Sequence, residues 1–300
     1  MFDDHRGLLV GVAYRLLGSL ADAEDVVQET WLRWANVDYG SIDYPRAFLV
    51  RVTTRLGLDR LRRIKARRED YIGPWLPEPV LTTPDIAEDV ERAETISLAL
   101  IVVLETLSPL ERAVFVLREV FDFSHPEIAD VLGRSEVAVR QLAARARSHV
   151  QARRPRFEAD RSVRLSVTQQ FLSACSSGNL TALLGVLSPG VTLINDGGGQ
   201  KLGARLPVQG ASAVSTFLLS VSRGPTIARY LGLEPGQPLP PMRAIITDIN
   251  GGPGIILQAA DCPIAVLSLD IADGVIQLVR LISSPEKLSR LTTSAHHHIE

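Results

Sequence analysis

The stretch Ser124-His-Pro-Glu-Ile-Ala-Asp-Val-Leu-Gly133, followed by Ser135-Glu-Val-Ala-Val-Arg-Gln-Leu-Ala-Ala-Arg-Ala-Arg147, spells two helices joined by a glycine turn. Ser124 and Glu127 have capping-box spacing, and Pro126 falls in the first turn, where a missing N–H costs nothing. Gly133 can take the left-handed conformation that ends a helix, and Ser135 can cap the next one. On the second helix Val139, Leu142, Ala143, Ala146 and Val150 share one face at 3.6-residue periodicity, which predicts packing against Ile128 and Leu132. Behind Ser135 the outward face carries Val137, Arg140, Gln141 and Ala144, flanked by Arg145 and Arg147. This is the pattern of a helix-turn-helix, in which residues near the start of the second helix reach base edges while flanking arginines hold phosphates. A helical hairpin with a solvated basic face is the alternative. The agreement of cap, turn and charge placement favours DNA.

The chain has 300 residues, 46% of them hydrophobic, and a formal net charge of -2. That is long enough for two or three small domains with cores. Its charge is segregated rather than even. Between Arg46 and Arg68, the residues Arg46, Arg51, Arg55, Arg60, Arg62, Arg63, Lys65, Arg67 and Arg68 stand against Asp59 alone. A second basic stretch from Arg134 to Arg156 is opposed only by Glu136, while acidic residues gather in Asp22–Glu29 and Asp85–Glu94. Two electropositive surfaces on a nearly neutral chain follow.

The N-terminal Met-Phe-Asp-Asp-His-Arg lacks signal-peptide character, and the apolar run Leu98–Leu104 is too short to span a bilayer. A cytoplasmic protein with no membrane partner is expected. Cys175 and Cys262 have no metal-ligand spacing and are expected as free, buried thiols. His296, His297 and His298 sit in a polar tail. Neither a metal site nor a cofactor is expected.

Organisation follows the hydrophobic pattern. The first segment reads as all-helical: Leu8, Leu9, Val12, Leu16 and Leu17 form one stripe, and Ser19 and Asp22 open a helix whose buried side carries Val26, Val27, Thr30, Trp31 and Trp34. A loop over Asn36–Pro45 precedes a third helix containing Phe48, Leu49, Val52, Leu56 and Leu61. Four prolines between Gly73 and Asp89 predict an extended, partly stiff linker. Helices resume near Val90, with a capping box at Ser108-Pro-Leu-Glu111. After Arg156 arginine thins out. A helix over Val163–Leu187, a Gly197-Gly-Gly199 turn, a helix over Ala211–Val221 and β-branched segments near Arg243–Ile249, Ile255–Ala260, Ile264–Ile271 and Val275–Ile282 predict an α+β domain. Its sheet is expected to be curved and antiparallel, with a hairpin turn at Asp273-Gly274.

Several strings carry a family likeness. Asp22-Ala-Glu-Asp-Val-Val-Gln-Glu-Thr-Trp31, then Pro45-Arg-Ala-Phe-Leu-Val-Arg-Val with Leu58-Asp-Arg-Leu-Arg-Arg63, then Leu107-Ser-Pro-Leu-Glu-Arg112 and the helix-turn-helix together resemble extracytoplasmic-function sigma factors. The second half resembles the SnoaL-like extension of one group of them, usually numbered 41. Trp75-Leu-Pro-Glu-Pro79, Asp196-Gly-Gly-Gly-Gln200 and Ser284-Pro-Glu-Lys-Leu288 carry that likeness. The last two depart from the group's Asp-Gly-Gly-Gly-Lys and Asn-Pro-Asp-Lys-Leu.

The resemblance implies a multidomain chain of two all-α helical domains, the second with the helix-turn-helix, and an α+β SnoaL-like cone. Residues 1–72 would be sigma region 2, 73–89 the linker, 90–156 region 4, 163–292 the cone and 293–300 a tail. It implies a subunit that binds core RNA polymerase and promoter DNA. Asp25, Gln28 and Glu29, with Trp31 nearby, would face the polymerase coiled coil, since an acidic, amide-bearing face suits an arginine-rich partner. The segment Asn36–Arg63, with Arg51, Arg55, Arg62 and Arg63, would engage the upstream half of the opening bubble. There Tyr39 and Tyr44 either stack on bases or pack against their own helices, and Asp59 is expected to orient Arg62 or Arg63.

Trp75, Leu76, Pro77, Glu78 and Pro79 are expected to dock near Asp196, Gly197, Gly198 and Gly199 or near Pro285, Glu286, Lys287 and Leu288, giving regulation in cis. A small-molecule ligand in the cone, or an enzyme there, is the alternative for a DNA-binding regulator. Catalysis is disfavoured because Val163–Ala295 contains no histidine, and Asp196 and Asp261 read first as turn residues.

Overall fold

The computed structural model describes residues 1–37, 42–68, 71, 73–82, 97–153, 160–199 and 204–291. The chain divides into two compact units, Met1–Asp70 with Ala99–Arg154, and Tyr71–Leu98 with Pro155–Glu300. Among the described residues no helix is long and apolar enough to cross a membrane.

The first unit is helical: α1 (Asp3–Leu17), α2 (Leu20–Ala35), α3 (Pro45–Arg68), α4 (Leu98–Glu105), α5 (Pro109–Phe115), α6 (His125–Leu132) and α7 (Glu136–Arg153). Ser19 caps α2 by accepting the Asp22 amide at 3.2 Å, and Ser108 and Ser124 each form a complete capping box with the glutamate three residues on. Val116–Val120 continues α5 as a wide π turn. Leu9, Val12, Leu16 and Leu17 of α1 are buried with Val26, Val27 and Trp34 of α2 and Leu49 and Leu61 of α3. Trp31 departs from the expected stripe. It lies a 100° step beyond buried Thr30 and is 48% exposed.

Regions that the sequence separates by a linker pack here as one body, with α3 against α6. The side chain of Arg112 on α5 is wholly buried at this seam, donating Nε to the Arg15 carbonyl at 2.8 Å and pairing Nη1 with Glu105. Lys65 of α3 donates to the Leu107 carbonyl at 2.8 Å, and Arg46 lies over the Phe123 ring at 4.9 Å.

The second unit contains α8 (Arg161–Ser176), α9 (Leu180–Val186), α10 (Ala211–Val221), α11 (Gly224–Tyr230) and α12 (Pro285–Leu288), with a six-stranded sheet. Its strands are β1 (Leu187–Asp196), β2 (Val208–Gln209), β3 (Met242–Ile249), β4 (Gly252–Ala259), β5 (Cys262–Ala272) and β6 (Val275–Ile282), in the order β2-β1-β6-β5-β4-β3. The sheet is mixed rather than antiparallel throughout, because β1 pairs with β6 in parallel. The two are distant in sequence and no hairpin constrains their sense. Asp273 and Gly274 both have positive φ (52° and 74°), as a two-residue hairpin turn demands.

The helix expected over Val163–Leu187 is two helices. Asn179 caps the second by accepting the Ala182 amide at 3.0 Å, and the chain turns straight into β1. Phe171, Leu183, Val191, Leu193, Val214, Leu267 and Val279 form the core between helices and sheet. Both cysteines are free, but neither is fully buried: Cys175 is part-buried on α8 and Cys262 is exposed at the start of β5. The expected helix start near Val90, the acidic stretch Asp85–Glu94, Tyr39, Gln200 and the histidine tail lie outside the described residues.

Candidate nucleic-acid interface and linker seat

The helix-turn-helix is built by its caps. The Ser124 hydroxyl accepts the Glu127 amide, and Glu127 closes the box onto the Ser124 amide at 2.7 Å. These bonds hold the Glu127 carboxyl below its usual range. Gly133 ends α6 at φ 61° with Arg134 N–H on the Ala129 carbonyl, a conformation that a side chain would strain. Ser135 then accepts the Ala138 amide at 3.3 Å.

On α7, Val139, Leu142, Ala143, Ala146 and Val150 are buried, so Val137, Arg140, Gln141 and Ala144 face out together. Arg140 pairs with Glu136 one turn back at 2.5 Å, an exposed pair that holds the side chain only weakly. Arg145 and Arg147 are tied to their own unit. Arg145 meets Glu111 at 3.1 Å, and Arg147 meets Glu119 at 2.7 Å. The Ser108 hydroxyl and amide, with Arg145, hold the Glu111 carboxyl low.

On α3, Arg51 lies over the Phe48 ring at 5.7 Å, Arg62 pairs with Asp59 at 2.7 Å, and Arg63 is exposed. Arg55 is committed elsewhere, donating Nε to the Val131 carbonyl of α6 at 3.1 Å. Tyr44 is exposed. On α2, Asp25, Gln28, Glu29 and Trp31 share an exposed face. Asp25 is 3.3 Å from Arg60, and Glu29 is 2.8 Å from Arg33.

In the second unit the structure brings three distant strings together. Asp196, at the end of β1 and 1% exposed, accepts the Leu76 amide at 2.7 Å, the Gly198 amide at 3.1 Å and the Tyr71 hydroxyl at 2.5 Å, and pairs with Lys287 at 2.5 Å. Lys287, in the last turn of α12, also donates to the Leu76 carbonyl and lies 4.3 Å from the Trp75 ring centroid and 5.4 Å from that of Tyr71. Burial, aided by the bond to Asp196, pushes the Tyr71 hydroxyl above the ordinary phenol range, so it remains a donor. Gly198 has φ 65°, and a Cβ there would stand 2.5 Å from the Ser284 Oγ, so the turn admits no larger residue.

Leu76, Pro77, Glu78 and Pro79 are buried, and Trp75 is half-buried. Gly197, Gly199, Pro285, Glu286 and Leu288 complete the turn and short helix around them.

Sequence reasoning missed a second anchor. Val80 N–H donates to Asn250 Oδ1 at 3.0 Å, the Asn250 amide donates to the Val80 carbonyl at 2.8 Å, and Leu81 bridges to Ile249. Gly251 N–H donates to Thr82 Oγ1 at 3.0 Å. Asn250-Gly251 is a hairpin dipeptide, which was the only available signal. Asp196, read from sequence as a turn residue, does accept the Gly198 amide of its own turn and is in addition a buried acceptor for Leu76 and Tyr71.

Comparisons with known proteins match these features. The family models "Sigma-70 region 2" and "Sigma-70, region 4" match residues 1–68 and 97–150. The chain is similar to the ECF RNA polymerase sigma factor SigJ of Mycobacterium tuberculosis (strain ATCC 25618 / H37Rv). Identity is 39% over 296 residues, covering 96% of this chain and 92% of that protein. It is also 34% identical over 292 residues to the probable ECF RNA polymerase sigma factor SigI of Mycobacterium tuberculosis (strain CDC 1551 / Oshkosh), covering 96% and 93%. The crystal structure of the Mycobacterium tuberculosis extracytoplasmic function sigma factor SigJ matches with a TM-score of 0.72 at 35% identity, covering 96% of this chain and 97% of that one.

Proposed function

This chain belongs to the extracytoplasmic-function RNA polymerase sigma factors, and we propose that its α+β unit tunes promoter use in cis by holding the linker between regions 2 and 4. Sigma factors bind core RNA polymerase and promoter DNA and act as transcription initiation factors, not enzymes. Within that activity, Val137, Arg140, Gln141 and Ala144, behind the Ser135 cap, read the upstream promoter element, with Arg145 and Arg147 beside the phosphates. Arg51, Arg62 and Arg63 serve the opening bubble, while Arg55, bonded to the Val131 carbonyl, ties α3 to α6. Asp25, Gln28, Glu29 and Trp31 meet the polymerase. The α+β unit also offers a place where a small molecule could enter the regulation.

The observation that carries the regulatory reading is the seat of Leu76 between Asp196 and Lys287. Once regions 2 and 4 part to engage promoter DNA, a linker fixed at two points allows them fewer separations than a free one of the same length. Transcription from one promoter by core polymerase with the full chain, Trp75→Ala, a chain ending near Arg156, and both changes together tests it. Trp75→Ala is expected to alter transcription in the full chain and to add little once the α+β unit is gone. Strictly additive effects would defeat the coupling.

Base reading has its own test. Arg140→Ala is expected to cost about 1–3 kcal/mol on the cognate upstream element and to relax preference at one position. Arg147→Ala should instead weaken binding to all sequences and flatten the salt dependence. Equal loss on cognate and scrambled DNA for Arg140→Ala would exclude base reading by that residue.

A further inference from the structure

The α+β unit encloses an open cavity of about 1100 Å³ between α8, α10, α11 and the sheet. Phe171, Leu172, Phe217, Ile255, Leu257 and Leu267 give it apolar walls. Its residue chemistry is one-sided. Arg223, Arg229 and Arg243 line it, and no aspartate or glutamate among the lining residues opposes them. All three arginines are exposed, and none has an ion-pair partner among the described residues.

Deeper in, Asn195 is 4% exposed. Its Oδ1 lies 3.4 Å from the Ser283 hydroxyl, while its amide nitrogen has no hydrogen-bond partner among the described residues. As a lining residue, Asn195 adds an amide donor to the cavity wall. Burial pushes the Cys175 thiol, another lining group, up to about 12, so it adds no negative charge near neutral pH.

From this combination we propose that the cavity binds an amphipathic organic anion. Its carboxylate or phosphate head is held by the arginine rim, and its aliphatic body lies along the apolar walls. Guanidinium groups suit such heads because their fork of donors matches two oxygens at once. The volume is that of a pocket for a whole ligand of drug or fatty-acid size rather than of a packing defect. Asn195 immediately precedes Asp196 on β1, and Ser283 immediately precedes Ser284 at the start of α12. An occupant would therefore touch the residues next to those that seat the linker. The proposal rests on the regulatory reading of this unit given above.

The full chain is titrated with the fluorescent carboxylate 11-(dansylamino)undecanoic acid, then challenged with hexadecanoate, hexadecyl phosphate, hexadecanol or hexadecyltrimethylammonium. Saturable binding is expected, with displacement by the two anions at concentrations about tenfold or more below those of the alcohol and the cation. The relative strength of the two anions identifies the preferred head. The triple variant Arg223→Gln, Arg229→Gln and Arg243→Gln should keep the thermal transition and lose at least about tenfold in affinity for the anions. No saturable binding, equal displacement by alcohol and anion, or unchanged affinity in the triple variant overturns the proposal. Promoter transcription with and without hexadecanoate separates the site from its role. A response lost in the triple variant supports both. Binding without any transcriptional response supports the site and defeats the regulatory reading.

Discussion

Replacing Asp196 with alanine is expected to destabilise the α+β unit by about 3–5 kcal/mol and to release residues 73–82 from it. The carboxylate is buried and accepts from Leu76, Gly198 and Tyr71 while pairing with Lys287. Its removal strands several donors and takes from the largely buried Lys287 ammonium the carboxylate that neutralises it. Asp196→Asn keeps the volume and one good acceptor and should lose less. Lys287→Met added to Asp196→Ala should recover part of the loss, because the orphaned charge goes with it. Amide hydrogen exchange reads the result at Leu76, whose protection should fall far more than that of the β5–β6 hairpin. If Leu76 exchanges as slowly in Asp196→Ala as in the unaltered chain, the seat does not hold the linker.

Reversing both Asp25 and Glu29 to arginine is expected to abolish assembly with core polymerase. Both carboxylates are exposed on α2, and their partners Arg60 and Arg33 give them little stability to lose. Arg60 also keeps Asp22, at 2.6 Å, so α2 and α3 stay joined. Juxtaposing like charges across an interface costs several kcal/mol, which corresponds to a loss in affinity of about a hundredfold or more. Fluorescence anisotropy with core polymerase measures the loss, and far-ultraviolet circular dichroism checks that helix content is kept. Assembly at unchanged affinity would remove α2 from the polymerase interface.

The helical half was legible because its signals are local. Ser19, Ser108, Ser124 and Gly133 each fix a helix end through atoms within a few residues, and the sequence places those residues next to the helices they bound. The parallel pairing of β1 with β6 was not legible, since nothing short-range links residues 187–196 to 275–282. Trp31 stands off the buried stripe because it follows buried Thr30 by a single 100° step, which turns it out of the core despite its size. The linker illustrates both sides. Trp75 and Leu76 announce a need for cover, but Asn250 and Thr82, which fasten its far end, look like ordinary turn and loop residues until the backbone brings them together.

Arg112 gives the seam between α1 and α5 an unusual response to temperature. Its guanidinium has exchanged water for Glu105 and one carbonyl oxygen, and its Nη2 has no hydrogen-bond partner among the described residues. The hydration that it gives up is most favourable in the cold and weakens on warming, so the penalty for keeping this charge dry is greatest at low temperature. The apolar contacts around it also weaken on cooling. Both trends run in the same direction, so cooling loosens this joint more than it would a seam closed by leucine alone.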